Sequence, residues 1–329
     1  MLSSFTLQAA TSMQHKIIHT LWDLWCLVSV VGIWPRYIEP RLLHHTSLTL
    51  KIPELPESLD GIKIFQISDL HFGKNSHPKQ LAKAIRQARL FAPDLILFCG
   101  DFISESTIWE KERLLAFLKE FSAPYGCFAV LGNHDYASMV GINAAGEYVP
   151  SRNPQPALVK GLKRLFKNNN PTGTFSPEIA KIPLHKELVE LLSESPFRLL
   201  HNETVTIPIK DTFLNICGLG EYMLNKTDPA AAFANYNKAY PGVILLHNPD
   251  ALPLLHNYPG EVVLCGHTHG AQVNLPIIRD AFLASEQKQF VSGLYNYDKK
   301  SVYINRGLGA SFAFRWFSIP ETLQLTLRR

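Results

Sequence analysis

Short apolar runs alternate with amphipathic stretches along most of the chain after residue 45. Aliphatic runs typical of buried strands occur at residues 62–69, 94–101 and 126–135. Between them, apolar positions repeat at helical spacing, in one helix that begins at Pro78 and in another that precedes residue 126. Strands that alternate with helices in this way predict an α/β fold.

The C-terminal half of the chain returns to strand patterns. It begins with a hairpin whose turn is Lys210-Asp211, and aliphatic runs follow at 242–250 and 261–270. A second hairpin at 290–307 and a closing strand complete the pattern. No internal repeat is present, so we expect one large domain rather than an array.

A stretch of about sixty residues between Asp135 and Phe197 shows no clear strand pattern, and stretches of that length inside a compact domain are usually functional or disordered. Within it, residues 152–186 carry seven Lys or Arg against one Glu. Residues 157–167 place apolar side chains on one helical face and cations on the other. Such a helix binds membranes or anionic amphiphiles, or forms a solvated outer face. We expect a basic inserted cap at about residues 136–196.

Residues 17–34 form an apolar stretch of 18 residues, near the lower limit for a helix that spans a membrane. The pattern favours a signal anchor or an interfacial helix over a cleaved signal, and a buried packing helix is the alternative. One Lys precedes the stretch and three Lys or Arg follow it closely, so positive-inside counting places the main domain in the cytoplasm. We expect a membrane anchor and linker at 1–44 and a globular domain at 45–329.

The composition excludes several classes of protein. With 329 residues, 46% hydrophobic and 18% charged side chains, the chain is neither disordered nor a disulfide-stapled miniprotein. A net charge of +4 over this length does not indicate a nucleic-acid partner, and no pattern implies an obligate protein partner. The five cysteines form no C-x-x-C pair and four lie in or beside apolar runs, which predicts buried, reduced thiols.

Polar motifs rich in Asp, Asn and His follow five of the predicted strands. They are Asp69-Leu70-His71, Gly100-Asp101, Gly132-Asn133-His134-Asp135, His247 and Gly266-His267-Thr268-His269. In open α/β sheets, ligands bind at the carboxyl ends of strands. An isolated His is more often structural, but five such motifs, each at the end of a strand, predict a metal site.

The residue types in these motifs narrow the choice of metal. Carboxylate, amide and imidazole ligands without a thiolate suit Mn²⁺, Fe, Zn²⁺ or Mg²⁺ rather than copper(I) or an iron–sulfur cluster. Seven ligands are too many for one ion that must also hold water and substrate. Two divalent ions about 3.5–4 Å apart that share one carboxylate fit the count, and such a pair activates water for attack on a phosphoryl group. Mn²⁺ is the first candidate.

The order of these motifs resembles the calcineurin-like metallophosphoesterase family over roughly residues 60–310. The resemblance implies a four-layer α/β/β/α sandwich of two packed mixed β-sheets, here with an inserted cap and an N-terminal membrane helix. It also implies that Asp101 bridges two metal ions and that His134 is the general acid for the leaving group, oriented by Asp135. The implied ligands of one ion are Asp69, His71 and His269, and those of the other are Asn133, His247 and His267.

The motifs HNPD at 247–250, GHTHGAQVNLP at 266–276 and NRGLG at 305–309 resemble the membrane-associated branch of that family. With the anchor, they imply a lipid-linked nucleotide as substrate, UDP-2,3-diacylglucosamine, hydrolysed at its pyrophosphate to UMP and 2,3-diacylglucosamine 1-phosphate. The implied location is the cytoplasmic face of the inner membrane. Four cations are expected to contact the substrate: Arg306, Lys160, Lys163 and Arg164.

Two other interpretations are open at the level of sequence. The same chemistry can serve another nucleotide or a phospholipid phosphodiester, since any membrane phosphoesterase would carry an anchor. The fold can also be kept as a non-catalytic scaffold, although the complete ligand set and the presence of His134 argue against that interpretation.

Overall fold

The computed structural model describes residues 16–73, 76–151, 159, 163, 170–283, 285–310 and 312–329. The strands in chain order are β1 (His44–Lys51), β2 (Lys63–Ile67), β3 (Leu95–Cys99), β4 (Cys127–Val130), β5 (Met139–Ile142), β6 (Tyr148–Ser151), β7 (Phe197–Leu199), β8 (Glu203–Ile209), β9 (Thr212–Gly218), β10 (Gly242–Leu245), β11 (Val262–Cys265), β12 (Gly293–Tyr297), β13 (Lys300–Ile304) and β14 (Glu321–Arg328). The helices are α1 (Lys16–Arg41), α2 (Pro78–Phe91), α3 (Lys111–Lys119), α4 (Lys186–Ser193), α5 (Pro229–Ala232) and α6 (Arg279–Phe282).

Two six-stranded mixed sheets form the centre of the fold. The first has the order β1-β14-β2-β3-β4-β7, in which β2, β3, β4 and β7 run parallel. The second has the order β12-β13-β11-β10-β9-β8, in which β13, β11, β10 and β9 run parallel. Aliphatic side chains of both sheets, among them Ile64, Leu97, Ile216 and Leu264, share one buried cluster. The two sheets therefore pack face to face.

Helices cover the outer faces of both sheets. Leu81 of α2, Leu118 of α3 and Leu191 of α4 pack in a cluster with Phe98 of the first sheet. The second sheet is covered by α5 and the short 3₁₀ helix Pro249–Leu255. The predicted α/β class and the sandwich of two mixed sheets are confirmed, as are both predicted hairpins.

The prediction of no clear strand between Asp135 and Phe197 is wrong. There β5 and β6 pair as an antiparallel hairpin, and α4 follows. Each strand has four residues, and one contains Gly141 and the other Pro150, residue types that weaken the sequence pattern of a strand. The amphipathic helix predicted at 157–167 lies largely outside the described residues.

The hairpin of β5 and β6 packs on the sandwich through Val140 and Tyr148, which belong to the buried cluster of the first sheet, and through a hydrogen-bonded carboxylate. Glu286 accepts hydrogen bonds from the hydroxyl groups of Tyr148, at 3.0 Å, and Tyr222, at 3.2 Å. The ring of Tyr148 also stacks on Phe175, with the ring centroids 5.4 Å apart. This part of the predicted cap therefore packs directly on the domain.

Helix α1 has two regions with different surroundings. It has 26 residues and is long and apolar enough to cross a membrane, and side chains such as Trp22 and Leu27 are more than half exposed. An apolar surface of this size indicates membrane association. In the last turns, by contrast, Pro35, Glu39 and Pro40 are buried. Part of the predicted linker therefore packs on the domain before β1 begins.

Candidate metal centre

Strands β2, β3 and β4 of the first sheet and β10 and β11 of the second are each followed, within three residues, by one of the polar side chains predicted from the sequence. Five of these residues have positive φ angles between 43° and 70°: Asp69, His71, Asp101, His267 and His269. This left-handed conformation is uncommon for residues with a side chain, and residues that adopt it are found disproportionately at functional sites. The sharp turns bring the side chains of both sheets to one place.

Four buried side chains form the first half of the centre. Asp69, His71, Asp101 and His269 each place a ligand atom within 4.8 Å of the others. Nε2 of His71 lies 3.0 Å from Nε2 of His269, which in turn lies 3.6 Å from Oδ1 of Asp69. Ring nitrogens that face each other beside a carboxylate are arranged to hold a cation.

Asn133, His247 and His267 form the second half. Oδ1 of Asn133 lies 3.2 Å from Nε2 of His247 and 2.8 Å from Nδ1 of His267. Nδ1 of His247 lies 2.7 Å from the carbonyl oxygen of Cys99, which can only accept a hydrogen bond. A neutral His247 therefore carries its proton on Nδ1, and Nε2 is the nitrogen that can bind a metal.

Asp101 joins the two halves. Its Oδ2 lies 3.3 Å from Nε2 of His71 and 3.4 Å from Nε2 of His247. Its Oδ1 accepts a hydrogen bond of 2.8 Å from the backbone N–H of His134. The structure thus brings together all seven residues singled out as ligands, with one carboxylate oxygen between the two halves.

Burial shifts the pKa values of the centre. It lowers the pKa of His71 and His269 well below the ordinary histidine value and raises the pKa of Asp69 to about 7. Burial also opposes the charged forms of Asp101 and His247. Their mutual attraction outweighs this effect, so the pKa of Asp101 is low and that of His247 is high. The neutral imidazoles of His71 and His269 and the ionised carboxylate of Asp101 are the protonation states that metal binding requires, whereas a metal ion would have to displace the proton of His247.

His134 lies beside the first half of the centre, with its ring centroid 4.6 Å from that of His71. Nδ1 of His134 lies 2.9 Å from the carbonyl oxygen of Ser104. This hydrogen bond requires a proton on Nδ1 and fixes the ring. Nε2 is then the nitrogen that can exchange a proton with a substrate.

The hydrogen bonds of Asp135 differ from those of a residue that orients His134, which is the role that the family resemblance implies. Its carboxylate accepts hydrogen bonds from the backbone N–H groups of Phe102, at 2.8 Å, Ile103, at 3.2 Å, and Gly132, at 2.9 Å. The loops that leave β3 and β4 offer these N–H groups, and a buried carboxylate needs such donors. Asp135 therefore holds the two ligand loops together, and Ser104 orients the ring of His134.

Two glycines of the motifs leave space for the carboxylates. A Cβ atom at Gly132 would lie 2.3 Å from Oδ1 of Asp101, and one at Gly266 would lie 2.4 Å from Oδ2 of Asp69. Any larger residue at either position would displace a carboxylate of the centre.

Arg315 is a residue of the centre that the sequence patterns do not single out. It is fully buried, its Nη2 lies 3.2 Å from Nδ1 of His269, and it donates a 2.8 Å hydrogen bond to the carbonyl oxygen of Arg306. Burial lowers its pKa to about 10, so it is still charged at neutral pH. The sequence feature that could have identified Arg315 is its position as a cation inside the aromatic run at 311–317.

Of the four cations expected to contact the substrate, two are among the described residues. Arg306 lies beside the His269 loop, and its Nε donates a 2.8 Å hydrogen bond to the buried Glu321. Lys163 is helical and exposed. Lys160 and Arg164 lie outside the described residues.

Comparison with known proteins places this centre in a family. The family model of the calcineurin-like phosphoesterases matches residues 62–271. The chain belongs to the calcineurin-like phosphoesterase family. Members of the family catalyse metal-dependent hydrolysis, so the predicted hydrolase class is confirmed, and the buried cluster of Asp and His indicates a divalent metal site.

Three relatives match most of the chain. UDP-2,3-diacylglucosamine pyrophosphatase LpxG of Chlamydia muridarum is 37% identical, over 88% of this chain and 90% of its own length. The protein of the same name from Chlamydia trachomatis serovar D is 38% identical, with the same coverage of each chain. Phosphodiesterase YaeI of Escherichia coli is 25% identical, also over 88% of this chain and 90% of its own length.

Proposed function

We propose that this protein hydrolyses the pyrophosphate of UDP-2,3-diacylglucosamine to UMP and 2,3-diacylglucosamine 1-phosphate, a step of lipid A biosynthesis. The observation that carries the proposal is the shared carboxylate oxygen. Oδ2 of Asp101 lies within 3.4 Å of one imidazole nitrogen from each half of the centre. Identities of 37% and 38% to the two Chlamydia enzymes support this choice of substrate.

Two divalent ions fit the donor set of the centre. Asp69, His71 and His269 would hold one ion, Asn133, His247 and His267 would hold the other, and Asp101 would contact both. These oxygen and nitrogen donors suit Mn²⁺ as the first candidate, with Fe, Zn²⁺ and Mg²⁺ as alternatives. When bound, such a pair supplies an acidified water and neutralises charge on the phosphoryl oxygens.

The chain's own residues position the reacting groups and supply the proton. Nδ1 of His134 is held by the carbonyl oxygen of Ser104, so Nε2 can donate a proton to the leaving-group oxygen. The backbone N–H of the same residue holds Oδ1 of Asp101, which keeps the acid and the bridging carboxylate at a fixed separation. Asp135 stabilises both ligand loops through three backbone hydrogen bonds.

The proposed location is the cytoplasmic face of the inner membrane. The exposed apolar side chains of α1 support a membrane anchor, and the excess of Lys and Arg that follows the apolar stretch supports a cytoplasmic domain. Within this arrangement, residues 1–44 form the anchor and linker. Residues 45–329 form the catalytic domain, with the cap at about 136–196.

Cations near the centre are proposed to bind the phosphates and the headgroup of the substrate. Arg306 is held beside the His269 loop by Glu321, so its position is fixed before substrate binds. Lys160, Lys163 and Arg164 belong to the basic part of the cap, whose net charge exceeds that of the whole chain. Such a cluster attracts a nucleotide pyrophosphate over a distance of about 8 Å at physiological salt.

A second candidate function is hydrolysis of another phosphodiester at the membrane. The 25% identity to Phosphodiesterase YaeI favours it. The metal centre and His134 would do the same chemistry in both cases, and only the groups that bind the rest of the substrate would differ.

One experiment separates the two candidates. The full-length protein in detergent micelles with Mn²⁺ is given UDP-2,3-diacylglucosamine or the soluble diester bis-p-nitrophenyl phosphate. We expect release of UMP with a kcat/KM at least about tenfold above that for the soluble diester, since substrate contacts remote from the reacting bond raise kcat/KM. Absence of UMP, or faster cleavage of the soluble diester, would favour the second candidate.

A further inference from the structure

A pocket opens beside the metal centre, between the last turn of α1, the first turn of α2 and the segment that follows Arg306. The pocket is narrow and partly open to solvent. Its lining has four polar side chains, those of His71, Ser76, His77 and Gln80, and six apolar ones, those of Pro40, Leu70, Leu81, Leu308, Ala310 and Ala313. The apolar part of the lining is suited to an apolar ligand.

The inner end of the pocket reaches the metal centre. His71 is part of its wall, and Leu70 stands between two of the proposed metal ligands in the chain. The backbone of the opposite wall is hydrogen-bonded to the Asp69-Leu70-His71 motif, because the N–H of Gly309 donates a 2.7 Å hydrogen bond to the carbonyl oxygen of Asp69. An occupant of the pocket would therefore lie next to the place where the bond is cleaved.

The outer end of the pocket lies at the base of α1. Pro40 belongs to the last turn of that helix, and Nη1 of Arg36 donates a 2.9 Å hydrogen bond to the carbonyl oxygen of Ala313. Just before this turn, the side chains of Trp34 and Tyr37 are exposed, at 41% and 55%. If α1 lies in a bilayer, the outer end of the pocket is at the membrane surface.

Two of the polar side chains in the wall, those of Ser76 and Gln80, are already hydrogen-bonded within the protein. Oγ of Ser76 accepts a 2.9 Å hydrogen bond from the backbone N–H of Gly73. Nε2 of Gln80 donates hydrogen bonds to the carbonyl oxygens of Pro40, at 3.1 Å, and Leu42, at 2.9 Å. Its amide hydrogens are thus used to hold the end of α1 on α2, and they add little polarity to the pocket.

We propose that this pocket binds an acyl chain of the lipid substrate, along a path from the bilayer beside α1 to the metal centre. The proposal rests on the proposed function. A lipid whose headgroup is cleaved at a buried centre must leave the bilayer in part, and an apolar path avoids exposing its methylene groups to water. The substrate's own chain is the occupant, rather than a bilayer lipid, because the pocket ends at His71.

The test measures how kcat/KM for UMP release depends on acyl-chain length, with UDP-2,3-diacylglucosamines that carry short or long chains. In the wild type in detergent with Mn²⁺, long chains should raise kcat/KM. Ala313→Phe and Ala310→Leu fill the pocket from two half-buried positions on its wall. Each should reduce the preference for long chains at least about tenfold, because the added side chain occupies the space of the acyl chain.

Ala234→Phe is the matched control, since Ala234 is exposed and is not part of the pocket wall. It should keep the wild-type preference for long chains. If Ala313→Phe does not fold, the smaller Ala310→Leu decides the outcome.

Three results would overturn the proposal, and they differ in what else they affect. Release of UMP with an unchanged chain-length preference in the pocket variants would reject the pocket and leave the proposed function intact. Weaker binding of the variants to phospholipid vesicles, again with unchanged preference, would assign the pocket to a bilayer lipid instead. Absence of UMP with every wild-type substrate would reject the proposed function itself.

Discussion

The backbone N–H of His134 donates a 2.8 Å hydrogen bond to Oδ1 of Asp101. This contact connects the proposed general acid to the proposed bridging ligand, since Oδ2 of the same carboxylate faces both His71 and His247. Changes to the Asp101 side chain should therefore disturb metal binding and proton transfer together. Removal of the His134 side chain leaves its backbone N–H in place, so it should disturb proton transfer alone.

Asp101→Asn is expected to lower both metal content and activity. The amide cannot bridge two cations as a carboxylate does, so bound metal should fall by at least one ion per chain and kcat by about 10²–10³-fold or more. Elemental analysis and UMP release measure the two effects. Asp211→Asn, at the hairpin turn that precedes β9, is the matched control and should change neither quantity. Wild-type metal content in Asp101→Asn would contradict the bridging role.

His134→Ala is expected to lower kcat without loss of metal. Loss of a general acid typically costs about 10²–10⁴-fold. The loss should be smaller with p-nitrophenyl substrates, whose leaving group needs no proton. Kinetics with both substrates and elemental analysis check this prediction, and His256→Ala, whose side chain is largely exposed, is the control. Equal losses on the two substrates would rule out the acid role.

Glu221→Gln should change the pH dependence of stability in the metal-free protein. Burial raises the pKa of Glu221 to about 7, and one of its carboxylate oxygens has no hydrogen-bond partner. An acid with a raised folded-state pKa contributes stability that is complete below its unfolded pKa of about 4.3 and is lost as the pH rises towards 7. The variant stays neutral, so it should be more stable than the wild type at pH 8.

Urea unfolding in the presence of a chelator at pH 5 and pH 8 measures this effect. The advantage of Glu221→Gln should shrink at pH 5, where the wild-type carboxyl group is also neutral. Glu194→Gln, at an exposed position, should show no such dependence. A difference in stability that is the same at both pH values would show that Glu221 is not the titrating group.

Two truncations should separate membrane binding from folding. Removal of residues 1–28 deletes much of the exposed part of α1, so we expect a protein with weakened membrane binding and an unchanged Tm. Removal of residues 1–43 also deletes the carbonyl groups of Pro40 and Leu42 that bind Gln80, and that of Pro35, which binds the N–H of Arg315. This should lower the Tm by at least about 5 °C. Membrane flotation and thermal melting check both results, and equal Tm values for the two truncations would contradict the structural role of residues 35–43.

The strand ends and the seven proposed metal ligands could be predicted from the sequence because their signals are local. An aliphatic run followed by Asp, Asn or His marks the end of a buried strand, as at Asp69 and His247. The strands β5 and β6 escaped prediction because Gly141 and Pro150 interrupt their short pattern. Sequence adjacency was also misleading at Asp135, whose side chain binds backbone groups rather than the neighbouring imidazole.

Contacts between distant parts of the chain leave no local pattern. Glu39 near the end of α1 accepts a hydrogen bond from the backbone N–H of Ser318. Nη2 of Arg315 lies 3.2 Å from Nδ1 of His269. Such pairs depend on how the sheets and loops come together in three dimensions. The pocket at the base of α1 is of the same kind, because its walls come from four separate segments.

The most direct test of the proposed two-metal hydrolysis of the pyrophosphate is a titration of metal against activity. Chelator-treated full-length protein in detergent receives increasing Mn²⁺, while bound metal per chain and UMP release from UDP-2,3-diacylglucosamine are measured on the same samples. UMP release should rise until two ions are bound per chain and then level off. Full activity with a single bound ion, UMP release without metal, or no UMP at two ions per chain would contradict the proposal.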